Sequence, residues 1–286
     1  AAMASSEGGA GGGGSGIGMV EIPEKALQKL KEYYGLDKPA YMRYFIWLKK
    51  IVQLDLGRSY KYSEPVWDLL TERVHISAYF GIISFLLSYL ICIPFDIFIA
   101  IKHRSKFDKV SSSIVFVGYS IPGFIFGAVL LVYLGGGSFW DVFPLGEFRS
   151  EDYEYFTFWG KIQDQLHHTV LPVMAYMVGA FASTTVLMKN SLLENLSQDY
   201  VRTAFAKGLS EKRVIFFHAV RNSLIPLATG IGGLLGIWLA GSYLIERVFN
   251  IDGIGMLSFN SIINRDYPVT LGFLVVATII RLIGNL

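Results

Sequence analysis

Five apolar stretches, at residues 76–100, 113–134, 169–188, 224–244 and 269–286, leave this chain few folds to choose from. With a helical rise of about 1.5 Å per residue, roughly 20 residues cross the ~30 Å hydrocarbon core of a bilayer, where an α-helix satisfies its backbone N–H and C=O groups within its own segment. Each stretch therefore predicts a transmembrane helix, and the whole an all-α polytopic membrane protein. Composition points the same way: 52% of residues are hydrophobic and only 17% are charged. A water-soluble domain of this length has too little interior to hide that much apolar surface.

Charge in the connections predicts their sides. Lys102, Arg104, Lys106 and Lys109 follow the first stretch against a single Asp108. Lys189, Arg202, Lys207, Lys212, Arg213 and Arg221 follow the third against Glu194, Asp199 and Glu211. By the positive-inside rule both connections are cytoplasmic. The other two are acidic: Asp141, Glu147, Glu151, Asp152, Glu154 and Asp164 oppose Arg149 and Lys161, while Glu246, Asp252 and Asp266 oppose Arg247 and Arg265. They are expected outside, so the alternation holds at every crossing and places residues 1–75 outside as well.

The second cytoplasmic connection carries more order than a loop needs. In residues 198–227, QDYVRTAFAKGLSEKRVIFFHAVRNSLIPL, Ser197 is placed to cap a helix, Asp199 puts a negative charge in its first turn, and Gly208 supplies its stop. Ser210 and Glu211 then restart a second helix that runs to Pro226. These residues resemble the cytoplasmic coupling loop of binding-protein-dependent ABC importer permeases, with its Glu-Ala-Ala start, obligatory glycine and later proline. Here the Glu-Ala-Ala positions read Arg202-Thr203-Ala204, the glycine is Gly208 and the proline Pro226. The missing glutamate and the longer glycine-to-proline gap are similar to the peptide/nickel branch of that family. The resemblance implies a type I permease fold and an ATPase-coupling role for Asp199, Tyr200, Arg202, Thr203, Ala204, Ala206, Lys207, Gly208, Ser210, Glu211 and Arg213, with Ala204 on the docking face.

Two further segments carry the same likeness. YGLDKPAYMRYFIWLKKIVQLDLGRSY, residues 34–60, followed by EPVWDLLTERV, looks like the periplasmic segment after the first helix of oligopeptide and dipeptide permeases. IERVFNIDGIGMLSFNSIINRDYPV, residues 245–269, is similar to the outer loop between their last two helices. The long acidic loop 135–168 and the glycine-rich leader are most similar to the B-type permeases of microcin C and oligopeptide importers. Such permeases usually carry one more helix before this point. The chain, which begins at Ala1 and ends inside an apolar run, is therefore expected to be a fragment holding five of six spans. Its organisation reads as a Gly-rich flexible segment 1–20, periplasmic amphipathic helices over 21–75, and a transmembrane domain 76–286 with the coupling loop at 189–226. Within 21–75, Leu27, Leu30, Tyr33 and Tyr34 predict one helix, and Tyr41, Tyr44, Phe45, Leu48 and Val52 a second.

Chemistry of the chain's own is not legible. No G-x-x-x-x-G-K-[ST] phosphate loop is present, so ATP and Mg are expected in partner ATPase subunits, with no cofactor and no metal on this chain. Cys92, the single cysteine, reads as a small buried hydrophobe. His167 and His168 are adjacent, point apart on a helix and have no second His or carboxylate at i+4, so they read as an interfacial pair. Asp96 and Arg281, the ionisable residues within spans, are expected near cytoplasmic ends where water reaches them. Glu246 reads either as a solvated helix end or as a gate or pathway contact.

Small residues suggest the path. Gly230, Gly233 and Ala240 crowd one face of the fourth stretch, and Gly118, Ser120, Pro122, Gly123 and Gly127 interrupt the second, with a kink expected at Pro122. A smooth face without ligands favours peptides over nickel, which needs His, Cys or carboxylates at metal-binding spacing. By the resemblance, the partners are a homologous second permease, one or more ATP-binding subunits, a periplasmic substrate-binding protein and a peptide-like substrate, with no nucleic acid. A nickel importer permease is the alternative within the family. A secondary transporter, which would need its own coupling residues and an internal repeat, is a distant third.

Overall fold

The computed structural model describes residues 38–136, 139–229 and 242–284. The Gly-rich segment 1–20, the helix expected around Leu27, and the path residues Gly230, Gly233 and Ala240 lie outside them. The chain divides into two units, Ala1–Asp55 and Leu56–Leu286. In the first, helix α1 (Ala40–Val52) starts after Pro39 and carries Lys49 and Lys50 in its last turn, where they complement the helix dipole. Its stripe of Tyr41, Tyr44, Phe45, Leu48 and Val52 follows helical spacing as expected.

The second unit is helical, with no named strand among the described residues. Helix α2 (Val66–Ile101) holds the first apolar stretch and begins well before it. The segment joining the units is bound into the second unit, not left as a separate cap. Val66, Leu69 and Leu70 share an apolar cluster with Ile254, Leu257 and Val269. Just ahead of them the Asp266 carboxylate accepts hydrogen bonds from Ser59 Oγ, Tyr60 N (3.1 Å) and Lys61 N (3.3 Å). The division into units falls between Asp55 and Leu56.

The second apolar stretch is not one helix. It forms α3 (Lys106–Ser120) and α4 (Gly123–Leu134), bent by 94° at Ile121-Pro122. Proline removes a backbone donor and pushes the residue before it out of the helical region, and Ile121 is extended at φ −97°, ψ 116°. The expected kink is thus a full break. Gly123 and Gly127 let α4 lie against α5 (Phe158–Leu196): a Cβ on Gly123 would stand 2.5 Å from the Ala175 carbonyl oxygen, and one on Gly127 would stand 3.0 Å from the Ala175 Cβ.

Helix α5 packs along α2 as the central pair. It is followed by α6 (Asp199–Ala206), α7 (Glu211–Arg213), a π-helical stretch Val214–Ala219 and α8 (Val220–Ser223). Beyond the undescribed part of the fourth stretch come α9 (Tyr243–Val248), α10 (Ile254–Ile263) and α11 (Tyr267–Gly284). Among the described residues, α2 alone is long and apolar enough to cross a membrane by itself, or up to three spans form if the α3–α4 pair and the bent α5 each count as one. The fifth stretch lies in α11, with Arg281 exposed in its last turn as expected.

Loop charge and packing agree. Residues from the two basic connections gather at one end, where Lys189 donates to Asp108 and where Val201, Ala204, Val214 and Ile215 pack on Ile97, Ala100, Met188 and Leu192. The acidic connections meet at the other end around Phe80, Leu171, Ile245, Phe249 and Ile251.

Candidate functional site

At the basic end, α6 is built to hold its position. Its N-cap is Gln198, not Ser197, which instead closes α5 with its hydroxyl on the Glu194 carbonyl (2.7 Å). Asp199 still stands in the first turn. The stop matches the sequence reading: Gly208 has φ +77°, Gly208 N donates to Phe205 O (2.9 Å) and Leu209 N to Ala204 O (3.4 Å). That pair of bonds is a Schellman closure, which only a residue at ease with positive φ completes without strain. Ser210 then caps α7, its carbonyl accepting from Val214 N (3.0 Å).

The two sides of α6 differ. Val201 and Ala204 are buried, at 1% and 6% exposure, against the inner ends of α2 and α5. Tyr200, Arg202, Thr203, Phe205, Ala206 and Lys207 are exposed, as are Gly208, Ser210, Glu211 and Arg213 beyond the helix. Ala204 therefore belongs to the packed face, and its expected place on the docking face is corrected: at this spacing it shares a stripe with Val201, the larger apolar anchor. Ala204→Asp would bury an unpaired charge at a cost of about 3–5 kcal/mol. The variant is expected to lower the melting temperature of the purified chain sharply in detergent, while Thr203→Asp on the exposed side leaves it near wild type. Equal melting of the two variants would reverse the assignment of faces.

The segment after Gly208 departs from a plain helix. The π-helical Val214–Ala219 brings the buried pairs Val214-Ile215 and Ala219-Val220, five positions apart, to the same side, and leaves Phe216 and Phe217 exposed. Helical periodicity alone gives no sign of the wider turn. Ser191 on α5 and Ser223 on α8 tie the segment down reciprocally, each hydroxyl donating to the other's carbonyl, at 3.1 and 3.3 Å. The second helix, expected to run to Pro226, ends at Ser223, and the next helical run begins at Ile225 with Pro226 in its first turn, where proline's missing N–H costs no helical bond.

Residues 92–286 match the family described as binding-protein-dependent transport system inner membrane component. The chain belongs to this family. It is similar to the peptidoglycan transport system permease protein YejB of Agrobacterium fabrum, 37% identical over 93% of this chain and 73% of that one. It is also similar to the oligopeptide transport system permease protein AppB of Bacillus subtilis, 34% identical over 93% and 82%. The dipeptide transport system permease protein DppB of Escherichia coli K12 is 33% identical over 92% and 82%. The resemblance read from the coupling loop is therefore a family membership, and the chain is an inner-membrane permease component.

Elsewhere in the permease several ionisable groups differ from expectation. Glu246 is no solvated helix end: it is 1% exposed and accepts from Ser77 Oγ (2.7 Å) and Met256 N (2.7 Å), while Ser77 Oγ accepts from Ile254 N (2.8 Å). Glu246 and the sequence-remote Ser77 thus cap the N-terminus of α10, whose own cap, Gly253, has no side chain to offer. A Cβ on Gly253 would meet the Glu246 carboxyl carbon at 2.5 Å, so the glycine makes room for the cap.

Asp96 is likewise not at a wetted end. It is fully buried, with Thr185 of α5 beside its carboxyl. Cys92, one turn earlier, is buried as expected. His168 also departs from the interfacial reading. It is buried beside Asp164, one turn back at i−4, with the Ser150 hydroxyl 3.1 Å from Nε2 and the Gly146 carbonyl 2.7 Å from Nδ1. Asp164 precedes His168 by one turn, so the pair lies on the N-terminal side of the histidine and not at i+4.

Proposed function

We propose that the permease is one of two homologous transmembrane subunits of a bacterial ABC importer for oligopeptides or peptide-like compounds. The observation that carries this reading is the two-sided α6, fixed by its Schellman turn, seated on the inner ends of α2 and α5, and presenting Tyr200, Arg202, Phe205 and Lys207 outward. An exposed, basic and aromatic face on a rigidly held helix fits the cleft of a soluble partner, which would be an ATP-binding subunit. ATP and Mg belong to that partner, this chain contributing no catalytic group or cofactor. Asp199, Thr203, Ala206, Gly208, Ser210, Glu211 and Arg213 complete the coupling surface, with Ala204 its inward anchor.

Closure of the ATPase subunits would move α6 as a rigid body and, through Val201 and Ala204, carry the inner ends of α2 and α5 with it, opening the path to the outside. Gly230, Gly233 and Ala240 line that path in this reading. Glu246, being enclosed, acts on it through the turn it holds and not as a lining group. A periplasmic binding protein delivers the substrate.

Purification of the complex from native membranes tests the reading. ATP-binding subunits and a second permease are expected to co-purify, and a peptide-loaded binding protein is expected to stimulate ATP hydrolysis while nickel does not. Nickel-dependent stimulation would move the substrate to the metal branch, and purification of this chain as a free transporter would overturn the subunit assignment.

A further inference from the structure

The inner ends of α2 and α5 receive α6 directly, but α3 has no share in that apolar cluster. Two contacts hold α3 near the coupling end: Phe107 packs edge-on against Phe95 and Phe98 of α2, and a polar junction ties α3 to α5. Asp108, in the first turn of α3, has a side chain only 6% exposed and uses both oxygens. Oδ1 accepts from Lys189 Nζ and from Ser112 Oγ (3.0 Å), and Oδ2 accepts from Arg104 N (2.9 Å) with His103 Nδ1 at 3.3 Å. Lys189 Nζ also donates to Ser112 Oγ at 3.0 Å, closing a ring of three side chains across the α3–α5 contact. Lys189 is one residue from Met188 and two from Ser191, the groups that seat and tie the coupling segment. A pair largely withdrawn from water is screened far less than a surface ion pair.

The other end of α3 is not continuous with α4. It stops at the 94° break, and beyond the break α4 is fitted closely to the middle of α5 through Gly123 and Gly127. A helix clamped at its inner end and jointed at the other transmits a displacement of the clamp without dragging the rest of the span.

We propose that the Asp108–Lys189 ion pair is the strut that makes α3 follow the coupling helix, so that Lys189 is a positioning residue for transport. The inference rests on the importer reading above. Removing the ammonium while keeping the side chain's length is expected to lower the melting temperature, because Asp108 loses its cation, but to leave basal ATP hydrolysis of the assembled complex intact and to loosen α3 from the motion. The complete transporter in proteoliposomes, with its binding protein and a radiolabelled tripeptide, is the test. The readout is peptide moved per ATP hydrolysed, which a merely structural defect leaves unchanged because it lowers both alike.

Lys189→Met is expected to lower that ratio about fivefold or more, and Lys189→Arg to restore most of it. The double variant Asp108→Asn/Lys189→Met is expected to lose no more than the worse single variant, because both act through one contact. An unchanged ratio in Lys189→Met, failure of arginine to rescue, or additive losses in the double variant would each overturn the strut. Wild-type complex measured in parallel separates the two levels: if it moves no peptide, the importer reading falls, and if it does, a flat variant series removes the strut alone.

Discussion

Gly208→Val is expected to cut transport about tenfold or more while leaving the permease folded and inserted. Gly208 has φ +77°, in the left-handed region where an L side chain costs roughly 1–2 kcal/mol and a β-branched one is a stronger outlier. About 1.4 kcal/mol is a tenfold change in population, so most molecules would hold α6 out of register with its partner. A Cβ at this position would meet nothing within 4 Å, so in the isolated chain conformation sets the cost and space does not. Three substitutions separate the two causes. Asparagine tolerates the left-handed region and alanine does so less well, so transport and substrate-stimulated ATP hydrolysis should rank Asn above Ala above Val. A ranking by size, with Ala above Asn, would instead mean that the partner subunit crowds the turn. Full transport by Gly208→Val would remove this turn from the coupling path.

That turn was legible in the sequence because its chemistry is local: a glycine after an amphipathic turn, with serine and glutamate restarting the chain, admits few other conformations. The first, third and fifth apolar stretches were legible for a similar reason, since length and composition alone oblige a helix in lipid. Pro122 announced a disruption but not its size, because the angle at Ile121-Pro122 depends on how closely Gly123 and Gly127 let α4 approach Ala175. The face of α6 was misjudged at Ala204 because a short helix carrying Val201, Ala204, Tyr200 and Phe205 offers two apolar sides. The packing on Ile97 and Ala100 of α2 and on Met188 and Leu192 of α5 decides between them.

Long-range ties were hidden altogether. Asp266 reaches back across the chain to Ser59 and the following backbone, and Asp108 reaches forward to Lys189. In a linear reading each is one more charge in a loop tally. The tally still gave the correct grouping of connections at each end, because it depends on sums of charge and not on partners. Asp96 shows the opposite limit: its distance from the helix end suggested a wetted carboxyl, but it is fully buried, beside Thr185 of α5.

Glu246→Ala is expected to be among the most destabilising single substitutions in the outer half. It strands Met256 N–H and the Ser77 hydroxyl, both of which donate to the carboxyl at 2.7 Å in a site that excludes water. An unsatisfied buried donor costs about 1–3 kcal/mol, so two of them remove roughly 2–6 kcal/mol before any cavity is counted. Glu246→Gln keeps one acceptor and is expected to lose less. Because Ser77 also accepts from Ile254 N, Ser77→Ala should weaken the same helix start, and the double variant should lose less than the sum of the two. Thermal unfolding of the purified permease in detergent measures all four. The alternative is that Glu246 meets the substrate path directly, in which case Glu246→Ala would alter transport at unchanged stability. A wild-type melting temperature in Glu246→Ala would therefore reinstate the pathway contact and remove the cap, whereas a large loss of stability shared with Ser77→Ala would mean that this carboxyl serves transport only by holding the start of α10 in place.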